Sequence, residues 1–349
     1  MSQKSRQTEI DVLRFLSIIA VIYIHVCSNG MFKGYLNSGF HDVCFSLAIC
    51  CVPAFFMISG RFFLDSDRDV SVNLLFKKKI FHLVTVFLVW SGIYTCYHIL
   101  TGDYDNLNIF GIISQYITGP YHFWFLFSLI GLYILTPFLR LITQNEEILK
   151  YFIVLFFVLN IIESYIIYIP KAGVIVKDFV DRFSIDMVVG YVGYYMLGYF
   201  IYYNRDRISE KTEKNLYILG ISMFVLTCSF QIYVDKKGIQ LPNAHFIQQY
   251  NKINVILYSV ALYAFFLKRV AKVQFKERTK RLFAKLTELG LGVYIVHALI
   301  TDLLSRILIS NNTSIKYFYL VVYILLTYLL SLILTYVIRK IPLFGKKII

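Results

Sequence analysis

Ten runs of predominantly apolar positions, each separated from the next by short polar segments, organise this chain: residues 10–28, 41–64, 80–100, 123–142, 151–169, 187–203, 216–234, 253–267, 289–310 and 317–338. About 20 apolar residues of helix cross the roughly 30 Å of bilayer hydrocarbon, so the pattern predicts an all-α, polytopic membrane protein with about ten transmembrane helices. The eighth run is short, and residues 109–117 read as a half-buried interfacial helix, which leaves the count open by one. A single integral membrane domain over residues 1–349 is expected, with neither a transporter-type repeat nor a second soluble domain.

The polar segments set the orientation. Lys and Arg number 24 in the two terminal tails and the loops on their side, counting Arg140 at a helix end, and 8 in the alternate loops. Basic residues are retained in the cytoplasm during insertion, so both termini are expected there. Asp11 and Arg14 interrupt the first apolar run and no small-residue cleavage site follows it, which argues against a cleavable signal peptide. The longest cytoplasmic segment, residues 268–287, is basic and amphipathic and reads as a surface-lying helix.

Composition agrees. Of 349 residues, 58% are hydrophobic and 16% charged, against about 25% charged in a soluble domain, and the mean hydropathy is +0.64. The 31 Phe and 28 Tyr exclude disorder. A net charge of +14 could indicate nucleic acid, but the basic residues sit between apolar runs, so no nucleic-acid partner is expected and the bilayer explains their placement. Cys27, Cys44, Cys50, Cys51, Cys96 and Cys228 all fall within apolar segments, where cysteine behaves as a small hydrophobe; no disulfide and no metal are expected.

Ionisable groups in a bilayer are costly and normally face a protein or water-filled interior. Arg14 and His25 stand eleven residues apart on the first run, a spacing that returns to one helix face after about three turns and about 16 Å of rise. Arginine suits a phosphate or polar amide chain arriving from the cytoplasm, and histidine suits removal of a hydroxyl proton near neutral pH. The pair therefore reads as a donor channel with a catalytic end. The alternative is that Arg14 snorkels and pairs with Asp11 while His25 is a hydrogen-bonded core residue.

Further stretches join this pair: Val52-Pro53-Ala54-Phe55-Phe56-Met57-Ile58-Ser59-Gly60, Tyr121-His122-Phe123-Trp124-Phe125-Leu126, and Leu291-Gly292-Val293-Tyr294-Ile295-Val296-His297. With Asp11-Val12-Leu13-Arg14 and His25 they resemble, in order and over nearly the whole chain, the acyltransferase 3 family of integral membrane acyltransferases. The likeness is greatest to stand-alone members that O-acetylate bacterial surface polysaccharides. It implies no permanently bound cofactor, cytoplasmic acetyl-CoA or another acyl-CoA as donor substrate, His25 as the essential residue and Arg14 assisting donor binding. Two departures stand out: Arg61 follows Ser59-Gly60 where the family usually carries an aromatic residue, and Lys77-Lys78-Lys79 occupy a stretch where arginines are common. Arg61 and these lysines are candidates for donor binding, with topogenic lysines as the alternative.

His122, Trp124, His297 and Glu163 are candidates for the acceptor side: Trp124 as a stacking face or part of an interfacial aromatic belt, His297 near mid-bilayer as a site residue or a helix–helix hydrogen bonder, and Glu163 as an orienting acid or a hydrogen-bond acceptor. Asp302 and Arg306, four apart, read as a structural ion pair. His82 and His98, near helix ends, are expected to meet headgroups, and His41 and His245 carry no site signal. The leading expectation is transfer of an acyl group, first of all acetyl, from acyl-CoA to a hydroxyl of a cell-surface glycan or its lipid-linked precursor at the bacterial cytoplasmic membrane. His25 acts as general base or forms a covalent acyl-histidine; a non-enzymatic exporter or carrier of glycan or lipid is the rival.

Overall fold

Hydrocarbon offers the backbone no hydrogen bonds, so an apolar run inside it must satisfy its own N–H and C=O groups, and a helix does so within one segment. The computed structural model describes residues 6–28, 38–66, 68, 70–166, 169, 173–175, 182, 190–239, 246–307, 316–342 and 345–349; among these no strand occurs. The helices are α1 (Thr8–Ser28), α2 (Ser38–Ala48), α3 (Cys51–Phe63), α4 (Val72–Leu74), α5 (Phe81–Leu100), α6 (Ile109–Thr118), α7 (Trp124–Thr143), α8 (Glu146–Tyr165), α9 (Tyr191–Asn204), α10 (Glu210–Lys237), α11 (Ile253–Lys268), α12 (Glu277–Glu288), α13 (Gly290–Ile307) and α14 (Lys316–Lys340). The chain is thus an all-α polytopic membrane protein. Eight helical stretches among the described residues are long and apolar enough to cross a membrane. Helices α8 and α9 occupy the fifth and sixth predicted positions; α9 has 14 residues, about 21 Å of rise, and residues 187–189 of the predicted run lie outside the described residues.

Local sequence explains where helices start and break. Pro53 lacks an N–H and its ring opposes the carbonyl four residues back, that of Ile49, so the second predicted span divides at Ile49–Cys50 into α2 and α3. Asn145 caps α8 by accepting from the N–H groups of Glu147 and Ile148, and Ser209 caps α10 by accepting from Thr212 N–H.

Contacts gather the basic segments at one end of the bundle. Arg6 bonds Asp11, Glu288 and the Ala284 carbonyl, and Arg339 donates to the Glu288 carbonyl. Arg140 donates to the Arg68 carbonyl, Arg207 lies 3.5 Å from Glu146, and Lys268 donates to the Ile208 carbonyl. The six segments expected on one side of the membrane therefore do share one side, the arginine end, which holds both Arg6 and Arg339. Helix α12 is docked there by Arg6 and by Thr287, which donates to the Asp11 carbonyl, and buries none of its residues. Helix α6 lies on the flank of α5, with Ile109, Phe110 and Ile117 exposed.

Helices α3 and α9 approach each other backbone to backbone. A methyl group on Gly60 would fall within the backbone of Tyr195, and one on Gly198 within the backbone of Met57. Small residues drive association in lipid because they let backbones touch, so the glycine ending the Phe-Phe-Met-Ile-Ser-Gly stretch is a packing requirement. Gly60→Ala should destabilise the protein by about 1–3 kcal/mol through overpacking, read as a lower unfolding temperature in detergent. Gly131→Ala, where an added methyl meets nothing within 4 Å, should leave that temperature unchanged.

Candidate active site

At the arginine end a cavity of about 460 Å³ opens beside the first turns of α1. Three guanidiniums converge on one ring there: Arg14, Arg61 and Arg68 lie 4.9, 4.9 and 4.4 Å from the centroid of Phe62. Arg61 also covers Tyr202 at 3.9 Å and is only 2% exposed, yet its Nε and Nη1 lack hydrogen-bond partners. Asp11 is engaged by Arg6 at 2.7 Å, so the pairing of Arg14 with Asp11 weighed from sequence is not the one formed. Crowded like charges with unused donors are what a phosphate-bearing polyanion would relieve. Lys77, Lys78 and Lys79 do not line this cavity. They occupy a π-helical turn, Leu75–Ile80, whose buried residues are Leu75 and Ile80, and this leaves the lysines between them facing outward.

At the other end of α1, three imidazoles meet. His25 and His297 are 5.1 Å apart between ring centroids, His122 and His297 5.2 Å, and His25 and His122 6.2 Å. Helix register produces this meeting. Helices α1 and α13 both run away from the arginine end, and Gly290 packs so closely on Ile18 that an added methyl would lie 2.7 Å from its Cδ1. His25 is seven residues beyond Ile18 and His297 seven beyond Gly290, so the two reach one level. His297 thus shares the level of His25 in the bundle.

Neighbouring carbonyls fix the tautomers. A carbonyl only accepts, so His122 presents Nε2–H to the Ile295 carbonyl at 3.3 Å, and His297 presents Nδ1–H to the Tyr294 carbonyl at 2.5 Å. The second nitrogens, His122 Nδ1 and His297 Nε2, are buried without partners. Tyr294 donates to the His122 carbonyl. The Tyr94 hydroxyl bridges the α13 backbone, donating to the Ile295 carbonyl and accepting from Leu299 N–H, each at 2.9 Å. Among the described residues no group of three or more His, Cys, Asp or Glu side chains is placed to hold a metal ion.

His25 lines two spaces. One is a narrow crevice, about 30 Å³, shared with Phe55, Phe125, Trp124, Tyr250 and Tyr294; Trp124 stacks there on Tyr191 at 5.3 Å. The other is an outer cavity of about 720 Å³ bordered by Tyr94, Tyr97, Tyr104, Tyr121, Asp103 and Asp302. Asp302 and Arg306 pair at 2.8 Å as expected, and Arg306 also reaches Asp103 at 2.6 Å. His98 has partners within the protein. The loop after α5 turns back through Gly102, at φ 79°, and brings Asp103 within 2.8 Å of His98 and Tyr104 onto its ring at 5.1 Å. Hydrogen bonds from His98 and Thr101, with the Arg306 charge, hold the Asp103 carboxyl down to about 2. Glu163 lies on α8, but its side chain falls outside the described residues, as does His245.

Sequence reasoning gave no role to Arg68, Tyr202, Tyr94 or Asp103. Arg68 follows Arg61 by seven residues just past a helix end, a signal that was available; Tyr202, Tyr94 and Asp103 come from distant segments and carry none.

The acyltransferase 3 family, described as an acyltransferase domain, matches residues 7–340. The chain belongs to that family and is a multi-pass membrane acyltransferase. No curated protein and no solved structure matches it.

Tyr94→Phe keeps the ring but takes the acceptor from Leu299 N–H and one of two donors from the Ile295 carbonyl, which keeps His122. The expected cost is about 1–3 kcal/mol, measured as a lower unfolding temperature in detergent.

Proposed function

We propose that this acyltransferase moves an acyl group, acetyl first of all, from acyl-CoA to a hydroxyl of a cell-surface glycan or lipid-linked glycan precursor at the bacterial cytoplasmic membrane. The observation that carries the reading is that one helix, α1, puts Arg14 into the arginine cavity and His25 into the aromatic one. The arginine end is then cytoplasmic, where acyl-CoA is found and where the excess of Lys and Arg belongs.

In this reading Arg14 and Arg61 bind the phosphates of the donor. The slender arm of CoA extends along α1 and brings the thioester to His25. Lys77, Lys78 and Lys79 contribute attraction at the surface and no direct contact in the cavity. His25 accepts the proton of the acceptor hydroxyl as its oxygen attacks the thioester carbonyl; the carbon–sulfur bond breaks, and the departing thiolate takes the proton from the imidazolium. Trp124 offers the acceptor a face beside His25, and the unused nitrogens of His122 and His297, both acceptors, are available to hydroxyls. CoA is a substrate here and no resident cofactor is involved.

A reporter fused after Ile349 should read cytoplasmic and one near Tyr104 extracytoplasmic; the reverse would put the arginine cavity on the side that lacks the donor. His25→Ala should lower single-turnover transfer by about 10²-fold or more while acetyl-CoA affinity stays near that of the parent. Arg14→Ala should instead weaken acetyl-CoA binding about ten- to a hundredfold, the value of a charge-assisted contact of about 1.5–3 kcal/mol. Folded His25→Ala protein that transfers at the parental rate would remove the histidine from the chemistry.

A further inference from the structure

We infer that the mouth of the outer cavity is a binding site for an uncharged sugar ring of the acceptor, held by the carboxylates of Asp103 and Asp302 and by the ring of Tyr121. This rests on the acyl-transfer reading and specifies what the site selects.

The two carboxylates are held by one oxygen each. Asp302 Oδ2 accepts from the Tyr97 hydroxyl and from Arg306 Nε. Asp103 Oδ2 accepts from His98 Nδ1, Thr101 Oγ1 and Arg306 Nη2 at 2.8, 2.7 and 2.6 Å. Neither Oδ1 has a hydrogen-bond partner among the described residues. Arg306 joins two elements distant in sequence, the loop after α5 and helix α13, and both carboxylates border one cavity. Two positioned acceptors with unused lone pairs suit a pair of sugar hydroxyls, and a charged acceptor binds an O–H more strongly than a neutral one.

The floor and wall supply the rest. Tyr121 is 65% exposed and sets its ring 5.2 Å from that of His25 at a steep angle, so a sugar lying on the phenol presents its edge to the imidazole. Behind His25, the fully buried His297 keeps Nε2 unpartnered. The two carboxylates face the single guanidinium of Arg306. A uronate or phosphorylated sugar would bring its charge against Asp103 and Asp302 and be repelled. The Asp103 carboxylate, held at about 2, stays ionised at any pH a cell surface meets.

The test uses the purified full chain, radiolabelled acetyl-CoA at saturation, and the glycan and glycolipid extract of cells lacking this gene as acceptor. Asp103→Asn and Asp302→Asn preserve shape and remove the charge. Each should raise the half-saturating extract concentration about tenfold, the effect of replacing a charged acceptor by a neutral one, and Tyr121→Ala should do the same. Acetyl-CoA affinity, measured on the same preparations, should remain that of the parent, and mass spectrometry should place the label on a sugar without carboxylate or phosphate. Unchanged half-saturation in both asparagine variants, a parallel loss of donor affinity, or label on an acidic sugar would each overturn the site. Failure of the parent to label anything in the extract would instead overturn the glycan-transfer reading on which the site depends.

Discussion

Within hydrocarbon, a polar group is answered by protein or goes unanswered at a cost of several kcal/mol. Most polar side chains of this bundle are answered locally: Thr136 donates to the Leu132 carbonyl, Asn160 to that of Phe156, Thr301 to that of His297. Other buried polar atoms have no partner, some of them scattered through the bundle, as at Thr327, Ser331 and Thr335 on α14, and some at its two candidate sites. Arg61 Nε and Nη1 lie at one end, and His122 Nδ1 and His297 Nε2 at the other. The unused donors of Arg61 lie in the lining of the cavity assigned to phosphates, and the unused acceptors of His122 and His297 lie on rings beside His25, so the leftover chemistry differs between the two ends.

Backbone contact sets the geometry that makes these leftovers converge. Gly290 fixes the register of α13 against α1, and Gly60 with Gly198 fixes α9 against α3. The first contact brings His297 to His25. The second holds Tyr202 over Arg61, because Tyr202 lies four residues past Gly198 on the helix that crosses α3. In both cases a residue without a side chain positions a candidate site residue one or two turns away.

This also explains how much was legible beforehand. The spans, the shared side of the basic segments, and the pairing of Arg14 with His25 along one helix all follow from periodicity and charge within single segments. The clustering of His122 and His297 around His25 was legible only as separate candidates, because their meeting depends on interhelical register. The lysines of the π turn illustrate the converse. Charge alone made them donor candidates, but the burial of Leu75 and Ile80 on either side turns them away from the cavity. His98 went to the headgroups in the sequence reading because a helix end gives no hint that a glycine will fold the following loop back over it.

The space between the two ends bears on what moves through the molecule. The arginine cavity and the outer cavity have no lining residue in common. Between Arg14 and His25, α1 contributes Phe15, Leu16, Ile18, Ile19, Ala20, Val21, Ile22 and Ile24, with Ser17 and Tyr23 as the polar exceptions. An exporter must carry a whole hydroxylated sugar past such a wall, and each hydroxyl would lose its hydration without compensation. The proposed transfer passes only an acyl group on a thin, flexible arm, with the nucleotide left among arginines and the sugar among tyrosines and carboxylates. The apolar middle of α1 is therefore suited to keeping the two polar substrates apart and bringing their reacting atoms together at His25.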